Sequence, residues 1–158
     1  MQEVKFYKSQ KNGFMCVCFF DNYLLKNSDK LFEIINIFSA NDLMFKVEFF
    51  VDKDKTFLDN TENITGQKSK ELFKNKKLFY KREYSKVSIE LKDILLLGKV
   101  IELAIISKEM LEVEFVNKSN VICVGMSVND NDGTFLNFNT EKYPVQKIKE
   151  KISQIAES

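Results

Sequence analysis

LEVEFVNKSNVICVGMSVNDNDGTFLNFN, residues 111–139, decides the fold class. Apolar and polar residues alternate through Leu111–Val116, Val121–Met126 and Thr134–Asn139, the period of a strand with one buried face. Asn-Lys-Ser-Asn (117–120) and Asn-Asp-Asn-Asp-Gly (129–133) separate these runs, and Asp-Gly between strands is a strong hairpin signal. Three short strands joined by tight turns make an antiparallel meander.

Working outward, Pro144 suits the first turn of a helix whose apolar stripe is Val145, Ile148, Ile152 and Ile155. Upstream, Ile94–Ile106 is apolar enough for a buried helix or strand. Gly98 and the β-branched residues after it favour a strand from Val100. Tyr84–Leu91 alternates on Val87, Ile89 and Leu91. Met44–Val51 alternates on Phe45, Val47, Phe49 and Val51, with Lys46 and Glu48 opposite, as in an antiparallel strand with one wet face. Lys68–Phe79 is predicted to be a helix with Leu72, Phe73 and Phe79 inward, and 52–66 to be irregular. Ser28 caps a helix with Leu31, Ile34, Ile35 and Phe38 on one face, ended by Asn41-Asp42. Glu3–Lys8 and Phe14–Phe20, separated by Gly13, form an opening hairpin. The expectation is a single α+β domain over 1–158. Its sheet is largely antiparallel, with about six to eight strands, and two or three amphipathic helices cover one face.

Composition narrows the chemistry. The 158 residues are 44% hydrophobic and 30% charged with a net charge of +1, which excludes a disordered charged tail. Histidine is absent, so Ser–His–Asp and Cys–His mechanisms and mixed Cys/His zinc sites are excluded. Cys16, Cys18 and Cys123 lie in apolar segments and are read as buried small hydrophobes in a reducing compartment. No cofactor and no metal is expected. The polar N-terminus carries no signal-like segment, and no apolar run approaches the roughly 20 residues of a bilayer span. A cytoplasmic protein without a membrane partner is the expectation.

Four local features bear on function. Phe49-Phe50-Val51-Asp52-Lys53-Asp54-Lys55-Thr56 resembles the first motif of the haloacid dehalogenase superfamily. The resemblance implies a nucleophilic Asp52, a general acid/base Asp54, a bound Mg²⁺ and a motif strand deep in a parallel sheet. It extends to Glu102–Ser107 as a second motif and to Asp130 and Asp132 as late acids. Lys55 stands where that family carries Gly, and the wet face given by Lys46 and Glu48 favours a turn after an antiparallel strand. Asn129–Gly133 resembles a calcium loop, but Val128 and Asn139 fall where carboxylate ligands are required, so it is read as a hairpin turn.

Lys68–Lys86 holds eight basic residues interleaved with Phe73, Phe79, Tyr80 and Tyr84, a pattern that can clamp single-stranded nucleic acid. Arg82 is the chain's only arginine, which favours a solvated lysine face over nucleic-acid binding. The opposite pole is acidic: Glu109, Glu112, Glu114, Asp130, Asp132 and Glu141 against Lys118 alone. Alternation puts Glu112 and Glu114 on one exposed strand face. These residues, Glu109, Glu112, Glu114, Asp130 and Asp132, are the expected docking surface for a basic protein partner. In size, composition and acidic face the chain is similar to bacterial immunity proteins, which cap a toxin or effector domain. The expected function is therefore non-catalytic binding, with the Mg²⁺-dependent phosphatase through Asp52 and Asp54 as the alternative and a weak nucleic-acid binder through Lys68–Lys86 as the second.

Overall fold

The computed structural model describes residues 4–75, 84–131 and 133–158. Among them are eight strands: β1 (Val4–Lys8), β2 (Phe14–Phe19), β3 (Met44–Val51), β4 (Lys70–Asn75), β5 (Tyr84–Leu91), β6 (Leu111–Val116), β7 (Ile122–Asp130) and β8 (Gly133–Asn139). They form one sheet in the order β1-β2-β8-β7-β6-β3-β5-β4. Every neighbouring pair is antiparallel. Four helices accompany the sheet: α1 (Ser28–Ile37), α2 (Thr56–Thr65), α3 (Ile94–Ser107) and α4 (Val145–Glu157). The fold is α+β, as the alternation predicts, with one helix more than expected.

Alternation creates the core directly. In β3, Phe45, Val47, Phe49 and Val51 are buried, and their register partners Phe115 and Val113 on β6 and Leu91, Ile89 and Val87 on β5 are buried with them. The helices cover this inner face. Helix α1 packs on α3 and α4, α2 on α3, α3 on β5 and β7, and α4 on β1. The outer face carries the intervening residues, among them Lys46, Glu48, Glu112 and Glu114. Cys16 and Cys18 alternate with the core residues Val17 and Phe19 and so lie on the opposite face, where Cys18 is buried as expected and Cys16 half-buried, while Cys123 joins the core cluster.

Four local expectations are corrected. The segment read as a helix over Lys68–Phe79 is strand β4 as far as Asn75, and 76–83 lies outside the described residues. At the sheet edge β4 leaves Leu72 and Phe73 exposed, so their spacing reflects no buried helical face. The region read as irregular contains α2, whose buried stripe Phe57, Thr61, Thr65 repeats every four residues and which stops at the left-handed Gly66. Helix α1 is capped by Asn27, whose side chain accepts from the Lys30 N–H at 3.2 Å, and Ser28 is its first helical residue. It ends at Ile37, ahead of Asn41-Asp42.

The fourth correction concerns 94–106, a helix throughout. Asp93 starts it by accepting from the Leu95 N–H at 2.9 Å. Gly98, read as a sign of strand, serves helix packing: a Cβ there would overlap the ring of Phe32 on α1. Gly98→Ala should therefore destabilise by about 1–3 kcal/mol despite alanine's better helix propensity. Combining it with Phe32→Ala should remove most of that strain. Denaturant melts of the four-member cycle check this, and a stabilising Gly98→Ala would refute the packing argument.

Behind the sheet, Tyr143 stacks edge-on against Phe38 (centroids 5.1 Å apart), and its hydroxyl donates to the Phe38 carbonyl at 3.2 Å. Burial, reinforced by the nearby Cys123 and Asp42, pushes its pKa up to about 12. The folded value lies above the unfolded value of about 10. This contribution to stability is therefore fully present below pH 10 and is lost as pH rises toward 12. Tyrosinate absorbance should show a late titration step, and Tyr143→Phe should abolish it.

Candidate functional site

The acids expected to form one docking surface fall into two groups. Strand β6 turns Leu111, Val113 and Phe115 into the core and Glu112 and Glu114 outward. Register places Glu112 between Glu48 of β3 and Ser127 of β7, and Glu114 between Lys46 and Gly125. The Ser127 hydroxyl donates to both Glu112 oxygens, at 3.0 and 3.2 Å. Although Glu112 is exposed overall, its carboxylate is crowded by the sheet face. That crowding pushes its pKa up; Asp130 and Glu48 add to the rise, while the Ser127 hydrogen bond and Lys86 oppose it. Among the described residues the ion pair within 4.0 Å is Lys68–Glu62, and Glu48, Glu112, Glu114 and Asp130 have none. Asp132 lies outside the described residues.

Glu109 belongs elsewhere. It follows the left-handed Lys108 that ends α3, and its N–H bonds back to the Ala104 carbonyl at 2.9 Å. Its side chain faces a cavity shared with Asp52 and Asp54. Burial raises its pKa first, then repulsion from Asp54 and Asp52. The residues singled out for catalysis and one of those singled out for docking thus converge, which register alone brings about.

Asp52 and Asp54 themselves build the turn from β3 into α2. The Asp52 Oδ1 accepts from the Asp54 N–H at 3.1 Å, and the Asp54 Oδ1 from the Thr56 N–H at 2.9 Å. Hydrogen bonds from the Thr56 side chain and backbone hold the Asp54 carboxyl below the usual range. The parallel sheet implied by the dehalogenase resemblance is absent, since β3 is antiparallel to both β5 and β6. Its second motif, 102–107, lies in α3 rather than at a strand end. The 129–133 turn closes a hairpin through the Asp130–Gly133 pair, with Asn129 and Asn131 left-handed. Among the described residues no group of three Asp, Glu or Cys side chains is disposed to hold a metal ion.

Of the basic stretch, Lys76, Lys77, Lys81 and Arg82, with Phe79 and Tyr80, lie outside the described residues. The described part joins a ring cluster on the outer face: Tyr84 packs edge-on to Phe50 (5.3 Å) and Phe73 (6.2 Å), and the Lys86 ammonium sits 5.4 Å over Phe50. Sequence reading missed Glu48, Phe50 and Ser127 as site residues. Their alternation marks them as outward-facing, but only register shows what they face. No helix among the described residues is long and apolar enough to cross a membrane. No family model, curated protein or solved structure matches the chain.

Proposed function

We propose that this chain is a non-catalytic binding protein that caps a basic protein partner with the outer face of its sheet, as immunity proteins cap a toxin. The observation that carries this reading is the Glu48–Glu112 pair, two carboxylates directly opposite in register with Asp130 nearby and, among the described residues, no cation within ion-pair distance. Like charges opposite one another cost roughly 0.2–1 kcal/mol in a sheet. A cationic side chain from a partner, seated between them, turns that cost into attraction. The same acids steer the encounter and fix its orientation. Cys16, Cys18 and Cys123 are all free thiols, which suits a reducing cytosol.

The charge reversal Glu112→Lys/Glu114→Lys tests the proposal. Both side chains point away from the core, so the variant should fold and melt close to wild type. Used side by side as bait in the native cell extract, the wild type should retain a protein of net positive charge in a one-to-one complex. Titration calorimetry on that protein should show the double variant binding at least about a hundredfold more weakly. Equal affinity for both baits sinks the acidic-face proposal.

A further inference from the structure

Where β3 hands over to α2, the surface opens into a cavity of about 560 Å³. Small-molecule sites typically occupy roughly 300–1,000 Å³. Its walls include the aromatic rings of Phe49, Phe57 and Tyr84 together with Leu58. The rings are fixed: Phe49 and Phe57 meet edge-on at 5.0 Å, and Tyr84 leans on Phe50 at 5.3 Å. Phe49 and Phe57 are buried, so this wall is part of the packed structure rather than a mobile surface.

Among the described residues, Asp52, Asp54 and Glu109 supply the charge on the lining, and it has one sign. Lys53 and Lys55, though adjacent in sequence to these acids, line an adjoining depression with Glu71 and Lys74, which shares Val51, Asp52 and Tyr84 with the cavity. Two of the acids come from the β3–α2 turn and the third from the α3–β6 connection, so the cavity is assembled by tertiary structure and not by one acidic run. Aromatic faces attract cations through their quadrupole, and carboxylates bordering an apolar wall select a positive head on an apolar stem. An anion would meet three like charges, and a neutral apolar ligand would desolvate them without return.

We infer that this cavity binds an organic cation, an ammonium or guanidinium group carried on an apolar stem. Two sources present that chemistry, a free diamine or polyamine and a lysine or arginine side chain of a protein. The inference does not rest on the acidic outer face, because the cavity lies among different residues from Glu48, Glu112 and Glu114 and shares with that face only the rings of Phe50 and Tyr84.

The test uses the full chain at about 0.15 M salt, where weak surface pairing is largely screened. The probes are 1,4-diaminobutane, N-acetyl-arginine amide and, as an uncharged control, 1,4-butanediol. Calorimetry should give a dissociation constant below about 1 mM for at least one cation and no binding of the diol. Glu109→Gln, which leaves the turn bonds of Asp52 and Asp54 in place, should weaken the cation at least about tenfold. Amide NMR shifts should centre on Phe57, Tyr84 and Glu109. Binding of the diamine alone identifies a free amine as ligand, and binding of the capped arginine identifies a protein side chain. If neither cation binds, if Glu109→Gln binds as well as wild type, or if the shifts centre on Glu112 and Glu114, the inference is overturned.

Discussion

Asn129→Ala should lower the unfolding free energy by about 3 kcal/mol, the combined cost of a lost hydrogen-bond hub and a strained backbone. Asn129 sits at the end of β7 with φ 59°, in the left-handed region that Asn tolerates and Ala does not. Its side-chain N–H₂ donates to the Ala104 carbonyl at 2.8 Å and the Glu109 carbonyl at 2.6 Å, while its oxygen accepts from the Asn22 amide at 2.6 Å. Thr134 completes the hub by donating to the Asn22 oxygen at 2.6 Å. One side chain thus ties the turn after β2, the end of α3, the connection to β6 and the β7–β8 hairpin.

Alanine deletes all three bonds. The Ala104 carbonyl keeps the Glu109 N–H, but the buried Asn22 amide loses its acceptor, and such orphans cost about 1–3 kcal/mol. A chain of this size should then melt roughly 6–12 °C lower. Asn129→Gly separates the two causes: it keeps the left-handed backbone, loses the bonds, and should be about 1 kcal/mol less damaging than Ala. Equal effects of Gly and Ala would assign the whole loss to the bonds, and a loss below about 1 kcal/mol would mean the hub is dispensable. The hub also positions the backbone of Glu109, so it holds one wall of the cavity.

None of the hub is legible in sequence, because Asn129 reads simply as the turn residue it also is. What local pattern carries is the alternation of β3, β5 and β6, where every second residue is apolar and the partners are buried by the same rule. Helix α3 defeats that rule. Its buried stripe of Leu97, Val100, Ile101, Ala104 and Ile105 has helical spacing, but the exposed apolar residues Leu95 and Ile106 blur that period in the sequence. Gly98 then misleads, because a close helix crossing and a strand irregularity both call for a missing Cβ. Strand β4 fails for the opposite reason: an edge strand with both faces largely exposed carries no burial pattern to read. The acids behave alike. That Glu112 and Glu114 share a face follows from a period of two residues, whereas Glu48 opposite Glu112, and Glu109 beside Asp52 and Asp54, depend on pairings across long stretches of chain.

Strand β6 carries both the core and the charge, and this sets the second large expectation: Phe115→Ala should cost about 4 kcal/mol. Phe115 is fully buried at the middle of the sheet, between Phe45 of β3 and Val124 of β7 in register. Its ring meets that of Phe45 edge-on at 4.8 Å, a geometry that adds about 0.5–1.5 kcal/mol to simple burial. Phe115→Leu keeps most of the apolar volume and should cost roughly half as much. In a cycle with Phe45→Leu, a coupling near 1 kcal/mol should separate the ring contact from burial. The two faces of β6 should then behave oppositely. Phe115→Ala lowers stability but leaves the outer carboxylates in place, so its affinity for a basic partner, corrected for the folded fraction, should match wild type. Glu112→Lys/Glu114→Lys should keep the melting temperature and lose the partner. If Phe115→Ala alone weakens the folded protein's binding, the outer face depends on core packing for its shape, and charge by itself does not explain recognition.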